Sequence, residues 1–141
     1  MAKKSVFISF DYENDKRYKF LLTALSNNSN FDISFNDKSS SEIKTEDVAV
    51  VRAGLTRKIN TARYTLCIIG AYANTRHKDY TEIGHRNWIN FEIHQSKKNG
   101  NKLIAIKIAN SYISPNEILN AGANWARSFT IEAITKALDE A

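Results

Sequence analysis

Apolar and polar positions recur with two different periods along this chain, and each change of period marks an element. Residues 6–10, Val-Phe-Ile-Ser-Phe, form a short apolar run that predicts a buried strand. A polar turn follows at residues 11–15, with Asn14 or Asp15 as N-cap of a helix over residues 17–25. Phe20, Leu21, Ala24 and Leu25 recur at helical spacing and predict its inner face. Residues 31–35 alternate apolar and polar, which predicts a strand with one face exposed at a sheet edge. Residues 36–45 read as a long polar loop. A second helix follows to about Asn60, capped by Thr45, with Glu46 and Asp47 at its positive end. Its buried face is Val48, Val51, Leu55 and Ile59.

Residues 65–69, Thr-Leu-Cys-Ile-Ile, are the strongest strand signal and predict a central position. A small-residue loop leaves it at residues 70–74, and residues 76–86 are charged and irregular. The next helix covers residues 88–98, with Asn87 as its cap and Gly100 as a left-handed stop. Residues 103–108 predict another buried strand, and residues 109–127 carry no readable period. Ser128 caps a last helix whose apolar side is Ile131, Ile134, Ala137 and Leu138.

Strands alternating with helices through short links imply parallel strands and right-handed crossovers. The predicted fold is α/β: a flavodoxin-like three-layer sandwich around a central parallel sheet of four to five strands. Ligands of such sheets sit beyond the carboxyl ends of the strands. Those ends are Phe10 to Tyr12, Asn36 and Asp37, Gly70 to Tyr72, and Ile108 to Asn110.

Length and composition narrow the class. The 141 residues predict one domain over 1–141, long enough to bury a core without disulfides or metals. With 43% hydrophobic and 25% charged residues, disorder and coiled coil are excluded as overall descriptions. Cys67, the one cysteine, lies in an apolar strand and reads as inert core. No signal peptide or membrane-spanning run is visible, so a cytoplasmic protein without a membrane partner is expected.

Familiar chemistries fail at the strand ends. Neither glycine-rich phosphate loop is present, and Gly70-Ala71-Tyr72 replaces the aspartate that a phospho-receiver would carry. No zinc spacing occurs, no metal site is expected, and His77, His85 and His94 read as solvated or capping. The formal charge of +5 invites nucleic acid, but no basic stripe or nucleic-acid motif supports it, and a nucleotide ligand ranks above it. Residues 52–86 hold seven Lys/Arg and two acids, and so carry the whole excess. This reads as a positive field for a pyrophosphate, an interface with an acidic protein, or a solvated basic surface.

The stretch Asn87-Trp-Ile-Asn-Phe-Glu-Ile93 is the informative one. Trp88 and Glu92, four apart, share a helix face that starts near the strand ends. Together with Val6-Phe-Ile-Ser-Phe-Asp-Tyr12 and the strand at Lys102 to Ile108, it resembles NAD-consuming TIR domains. Within these it is similar to the TIR-like ThsB family of the bacterial Thoeris antiphage defence. The resemblance covers roughly residues 4–110.

The resemblance implies a hydrolase or cyclase that cleaves the nicotinamide–ribose bond of NAD and releases a cyclic or modified ADP-ribose. It implies NAD as substrate with no bound cofactor, and a downstream effector reached through that small-molecule messenger. It further implies a phage-derived trigger and a homo-oligomer. The family's catalytic glutamate falls on Glu92. Phe10, Asp11, Asp37, Tyr72 and Trp88 are the substrate-binding candidates. Each has an ordinary alternative: a solvated carboxylate for Glu92, core packing for Phe10 and Trp88, turn-forming or loop residues for the others. Two further functions stay open, a non-catalytic TIR-like adaptor and a nucleotide-binding module without turnover.

Overall fold

The computed structural model describes residues 4–26, 33–36 and 45–141. In chain order they form β1 (Lys4–Ser9), α1 (Tyr12–Ser26), β2 (Ile33–Asn36), α2 (Val48–Thr61), β3 (Tyr64–Ile69) and a one-turn α3 (Tyr80–Ile83). Then come α4 (Trp88–Asn99), β4 (Lys102–Lys107), a 3-10 turn (Asn116–Ile118), β5 (Asn124–Ala126) and α5 (Ile131–Asp139). All five strands are parallel, in the order β2-β1-β3-β4-β5. The α/β sandwich is therefore as predicted, with β3 central and β2 at an edge. No helix among the described residues is long and apolar enough to cross a membrane.

Alternation along the strands sends side chains to two faces. Val6, Ile8, Leu66, Ile68, Ile104 and Ile106 meet α1 and α5 through Leu22, Ile134 and Leu138. Phe7, Cys67, Ile69, Leu103 and Ala105 meet α2 and α4 on the other face. Each fully buried Leu or Ile contributes about 1.5–3 kcal/mol, so these layers hold the sheet. The buried face of α2 is Val48, Val51, Leu55 and Ile59, as its spacing predicts.

Four local expectations are corrected. Residues 12–15 are the first turn of α1 rather than a separate turn, because Asp11 is the cap. Its Oδ1 accepts from the Glu13 amide at 3.1 Å and its carbonyl from the Asp15 amide at 2.7 Å. The inner face of α1 is not Phe20, Leu21 and Ala24, which are exposed, but Leu22 with Tyr18 and the predicted Leu25 beside it. Three adjacent apolar residues fit more than one helical phase, and tertiary packing selects the phase. α2 is capped by Asp47, whose Oδ1 accepts from the Ala49 and Val50 amides, while Thr45 accepts from the Asp47 amide. α5 is capped by Thr130, with Ser128 one step back on the Thr130 hydroxyl, and Ile131 lies exposed.

Asn87 and Gly100 end α4 as expected. The Asn87 side chain accepts from the Asn90 amide, and Gly100 has a φ of 76°, where a Cβ would be strained. The unreadable stretch 109–127 holds the 3-10 turn and the short strand β5.

Candidate functional site

Parallel strands bring the carboxyl ends of β1 and β3 side by side, with Ser9 in register with Cys67. α1 leaves β1 after Phe10 and Asp11, and the loop after β3 returns to the start of α4. These three segments enclose a cleft of about 280 Å³. Phe10, Asp11 and residues 12–14 line one side; Tyr72, Thr75, Arg76 and His77 line another; Asn87, Trp88 and Ile89 close it. A larger polar depression of about 550 Å³ lies at the amino ends of β3 and β4, between Asn60–Tyr64 and Asn99–Lys102, and contains none of the candidate residues.

Four of the predicted substrate residues, Phe10, Asp11, Tyr72 and Trp88, meet in the first cleft. Asp37 lies outside the described residues. Phe10 belongs to the core and offers the cleft little surface, at 3% exposure, whereas Tyr72 is 56% exposed. Asp11 spends both carboxylate oxygens on α1, Oδ1 on the Glu13 amide and Oδ2 on the Asn14 side chain at 2.7 Å. The Trp88 ring stands edge-on to Phe91 at 5.6 Å and to His77 at 6.4 Å.

Glu92 does not line the cleft. It is fully buried, one helical turn beyond Trp88, which is about 6 Å along the axis. Its Oε1 accepts from the Ser9 hydroxyl at 2.7 Å. Ser9 directly precedes Phe10, so the carboxylate is held behind the residues that line the cleft. The Glu92 carbonyl accepts from Ser96, which also shares a hydrogen bond with Thr65. Burying a carboxylate costs several kcal/mol even when it is hydrogen-bonded, so its presence is not explained by stability.

Two side chains that the sequence reading did not assign to the site shape its surroundings. Asp15 in the first turn of α1 is 5% exposed and lies against Gly70, where a Cβ would come 2.1 Å from its Oδ2. Burial, then the neighbouring Asp11 charge, raises the Asp15 carboxyl to about 6, against the pull of Arg17. Asn87, read only as a cap, also donates from Nδ2 to the Ala73 and Thr75 carbonyls at 2.9 and 3.0 Å. It thereby clamps the loop after β3 to α4. An asparagine cap directly after a loop is the signal that could have suggested this.

Cys67 is fully buried, and burial pushes its thiol far above the usual range, with the Glu92 and Asp15 carboxylates adding to the shift. It stays protonated and is no nucleophile. Of the seven basic residues in 52–86, Arg76 is the one in the cleft lining, with its guanidinium over the Tyr80 ring at 4.9 Å. Arg52 stacks on Phe91, and Arg63 lies in the depression at the opposite strand ends. The charge excess is thus spread over the molecule. Among the described residues, the side chains that could together hold a metal ion are His85, His94 and Glu117, which stand outside the cleft.

The family model of the TIR-like domain of the Thoeris protein ThsB matches residues 7–112, more than half of the chain. The chain belongs to the Thoeris ThsB TIR-like family. That match spans β1 to β4 and all of the cleft lining; β5 and α5 follow it. No curated protein matches the chain. Among solved structures, the CMP N-glycosidase BcmB of Clostridium botulinum is similar at 12% identity and a TM-score of 0.58, over 97% of this chain and 98% of that one. The 2-deoxyribosyltransferase of Bacillus psychrosaccharolyticus is similar at 13% identity and 0.55, over 89% and 87%. A prokaryotic SEFIR domain is similar at 17% identity and 0.54, over 98% and 95%. At these identities the likeness is one of fold.

Proposed function

We propose that this TIR-like domain cleaves the nicotinamide–ribose bond of NAD, with Glu92 as the catalytic carboxylate. The observation that carries the reading is Glu92 itself: a fully buried carboxylate, hydrogen-bonded by Ser9 behind a cleft at the strand ends, in a Thoeris family domain. Nicotinamide leaves as a neutral amide-bearing ring from a cationic one, so no strong acid is needed. Charge develops on the ribose as an oxocarbenium ion, and a nearby carboxylate stabilises it. Ser9 holds the carboxylate in place, and low-dielectric surroundings strengthen its field.

The cleft supports the substrate class. Asp11 and Glu13 stand on one side and Arg76 on the other, which suits a ligand with a cationic ring and an anionic pyrophosphate. About 280 Å³ lies at the small end of ligand sites, enough for the nicotinamide riboside half of the dinucleotide. Two proteins of similar fold are by name a CMP N-glycosidase and a 2-deoxyribosyltransferase, and the first of these acts on the bond class proposed here. Release of a cyclic or modified ADP-ribose requires an internal or added nucleophile to outrun water at the sugar carbon. In this reading a phage-derived trigger and assembly of copies open the path to Glu92, and the messenger activates a separate effector.

A second reading, a non-catalytic TIR-like adaptor, is favoured by the zero exposure of Glu92, which leaves its carboxylate unreachable without movement of the cleft lining. Cells expressing the wild type or Glu92→Gln are challenged with phage, and their lysates are assayed for NAD and ADP-ribose derivatives. The enzyme reading expects NAD loss and a new derivative with the wild type alone. Protection without any nucleotide change in either would establish the adaptor.

A further inference from the structure

His85, His94 and Glu117 come from three segments: the loop before α4, the second turn of α4, and the 3-10 turn after β4. Their donor atoms lie within 4.8 Å of one another. The two imidazole rings are 4.7 Å apart, centre to centre, and His94 Nδ1 is 3.3 Å from Glu117 Oε1. None of the three is fully buried, so an ion and its water have access.

We propose that His85, His94 and Glu117 form a site for a divalent transition-metal ion, zinc foremost, with solvent in the remaining position. Two imidazoles and one carboxylate are a donor set that suits zinc with an open fourth place. The carboxylate is held ready. The Glu117 amide donates to Asn90 Oδ1 at 2.9 Å, and Lys97 Nζ donates to the Glu117 carbonyl at 3.0 Å. His85 is braced by the Phe91 ring at 5.8 Å.

The surroundings set the strength of the site. Burial first, then His94, Arg52 and Lys97, lower the proton affinity of His85 below that of an ordinary histidine, with Glu117 opposing them, which favours the lone pair a metal ion needs. Lys97 pairs with Glu117 Oε1 at 2.8 Å and competes with an ion for that oxygen. Lys97 and Arg52 both repel a dication, so the site is one of moderate affinity that tightens as the imidazoles lose protons. The asparagine network carries its influence inward: Asn90 also donates to Asn87 and Asn74, and Asn87 clamps the cleft loop. A bound ion would pin that loop.

The test is calorimetric titration of the purified chain with zinc chloride in a non-chelating buffer at pH 7.5 and 5.5. The expected result is one ion per chain at pH 7.5, at least tenfold weaker at pH 5.5. His85→Ala, His94→Ala and Glu117→Gln should each weaken it at least about tenfold, and His77→Ala should leave it unchanged. Circular dichroism verifies that each variant is folded. Cobalt(II) bound to the wild type provides a readout independent of the variants, an absorption band of four- or five-coordinate geometry. Failure of zinc to bind saturably, binding that survives His85→Ala and His94→Ala, or equal loss with His77→Ala would overturn the proposal.

Discussion

Asp15→Asn should stabilise this protein above pH 6 while leaving it little changed near pH 4. The carboxyl is packed against Gly70 and its folded pKa stands at about 6 rather than 3.8. Well below pH 4 both folded and unfolded chains keep the proton, and burial costs little. Between about 4 and 6 the unfolded chain has released it while the folded chain retains it, so stability falls as pH rises. Above about 6 both are ionised and the full cost persists. A rise of that size corresponds to about 3 kcal/mol, and water near the first turn of α1 reduces it to about 1–2 kcal/mol. The asparagine has the same shape and no charge to bury. Urea unfolding of both proteins between pH 4 and 7.5 isolates the effect, because every other carboxylate is common to both. The difference should open by about 1–2 kcal/mol between pH 4 and 6.5 and then stay flat. A difference that is constant across that range, or a variant less stable than wild type at pH 7.5, would refute the burial of an ionising Asp15.

Three further substitutions probe the same neighbourhood. Gly70→Ala places a Cβ 2.1 Å from Asp15 Oδ2, and should cost about 1–3 kcal/mol in urea unfolding as α1 shifts away from β3. Asn87→Ala removes a cap and both clamps on the cleft loop; a loss of about 1–3 kcal/mol is expected, with faster hydrogen exchange at residues 73–77. Ser9→Ala takes a hydrogen bond from the buried Glu92 carboxylate, and about 1–3 kcal/mol of stability should go with it. In triggered cells the same change should lower NAD consumption several-fold, with the protein still abundant by immunoblot.

What the sequence made legible follows from how local each signal is. Val48, Val51, Leu55 and Ile59 fall on one helical face that nothing contests, and Gly100 and Asn87 act within their own turn, so α2 and the ends of α4 are readable. α1 is not, because Phe20, Leu21 and Leu22 fit several phases and only contact with the sheet decides for Leu22. β5 is three residues, Asn124–Ala126, with no alternation of its own, and it exists by pairing with Ile104 to Ile106. The cleft was half legible: Phe10, Asp11, Tyr72 and Trp88 meet because parallel strands end together. The burial of Glu92 was not, since a helical glutamate four residues after a tryptophan looks the same whether it faces water or Ser9. Asp15 and the cluster of His85, His94 and Glu117 depend on contacts between distant segments, which no spacing encodes.

In the proposed function, the buried Glu92 carboxylate drives cleavage of the nicotinamide–ribose bond of NAD. The most direct test is NAD consumption in phage-challenged cells expressing the wild type or Glu92→Gln at matched protein levels, followed by mass spectrometry of the lysates. A drop in NAD and a new ADP-ribose derivative are expected with the wild type, and neither with the variant. Equal product from Glu92→Gln would contradict this.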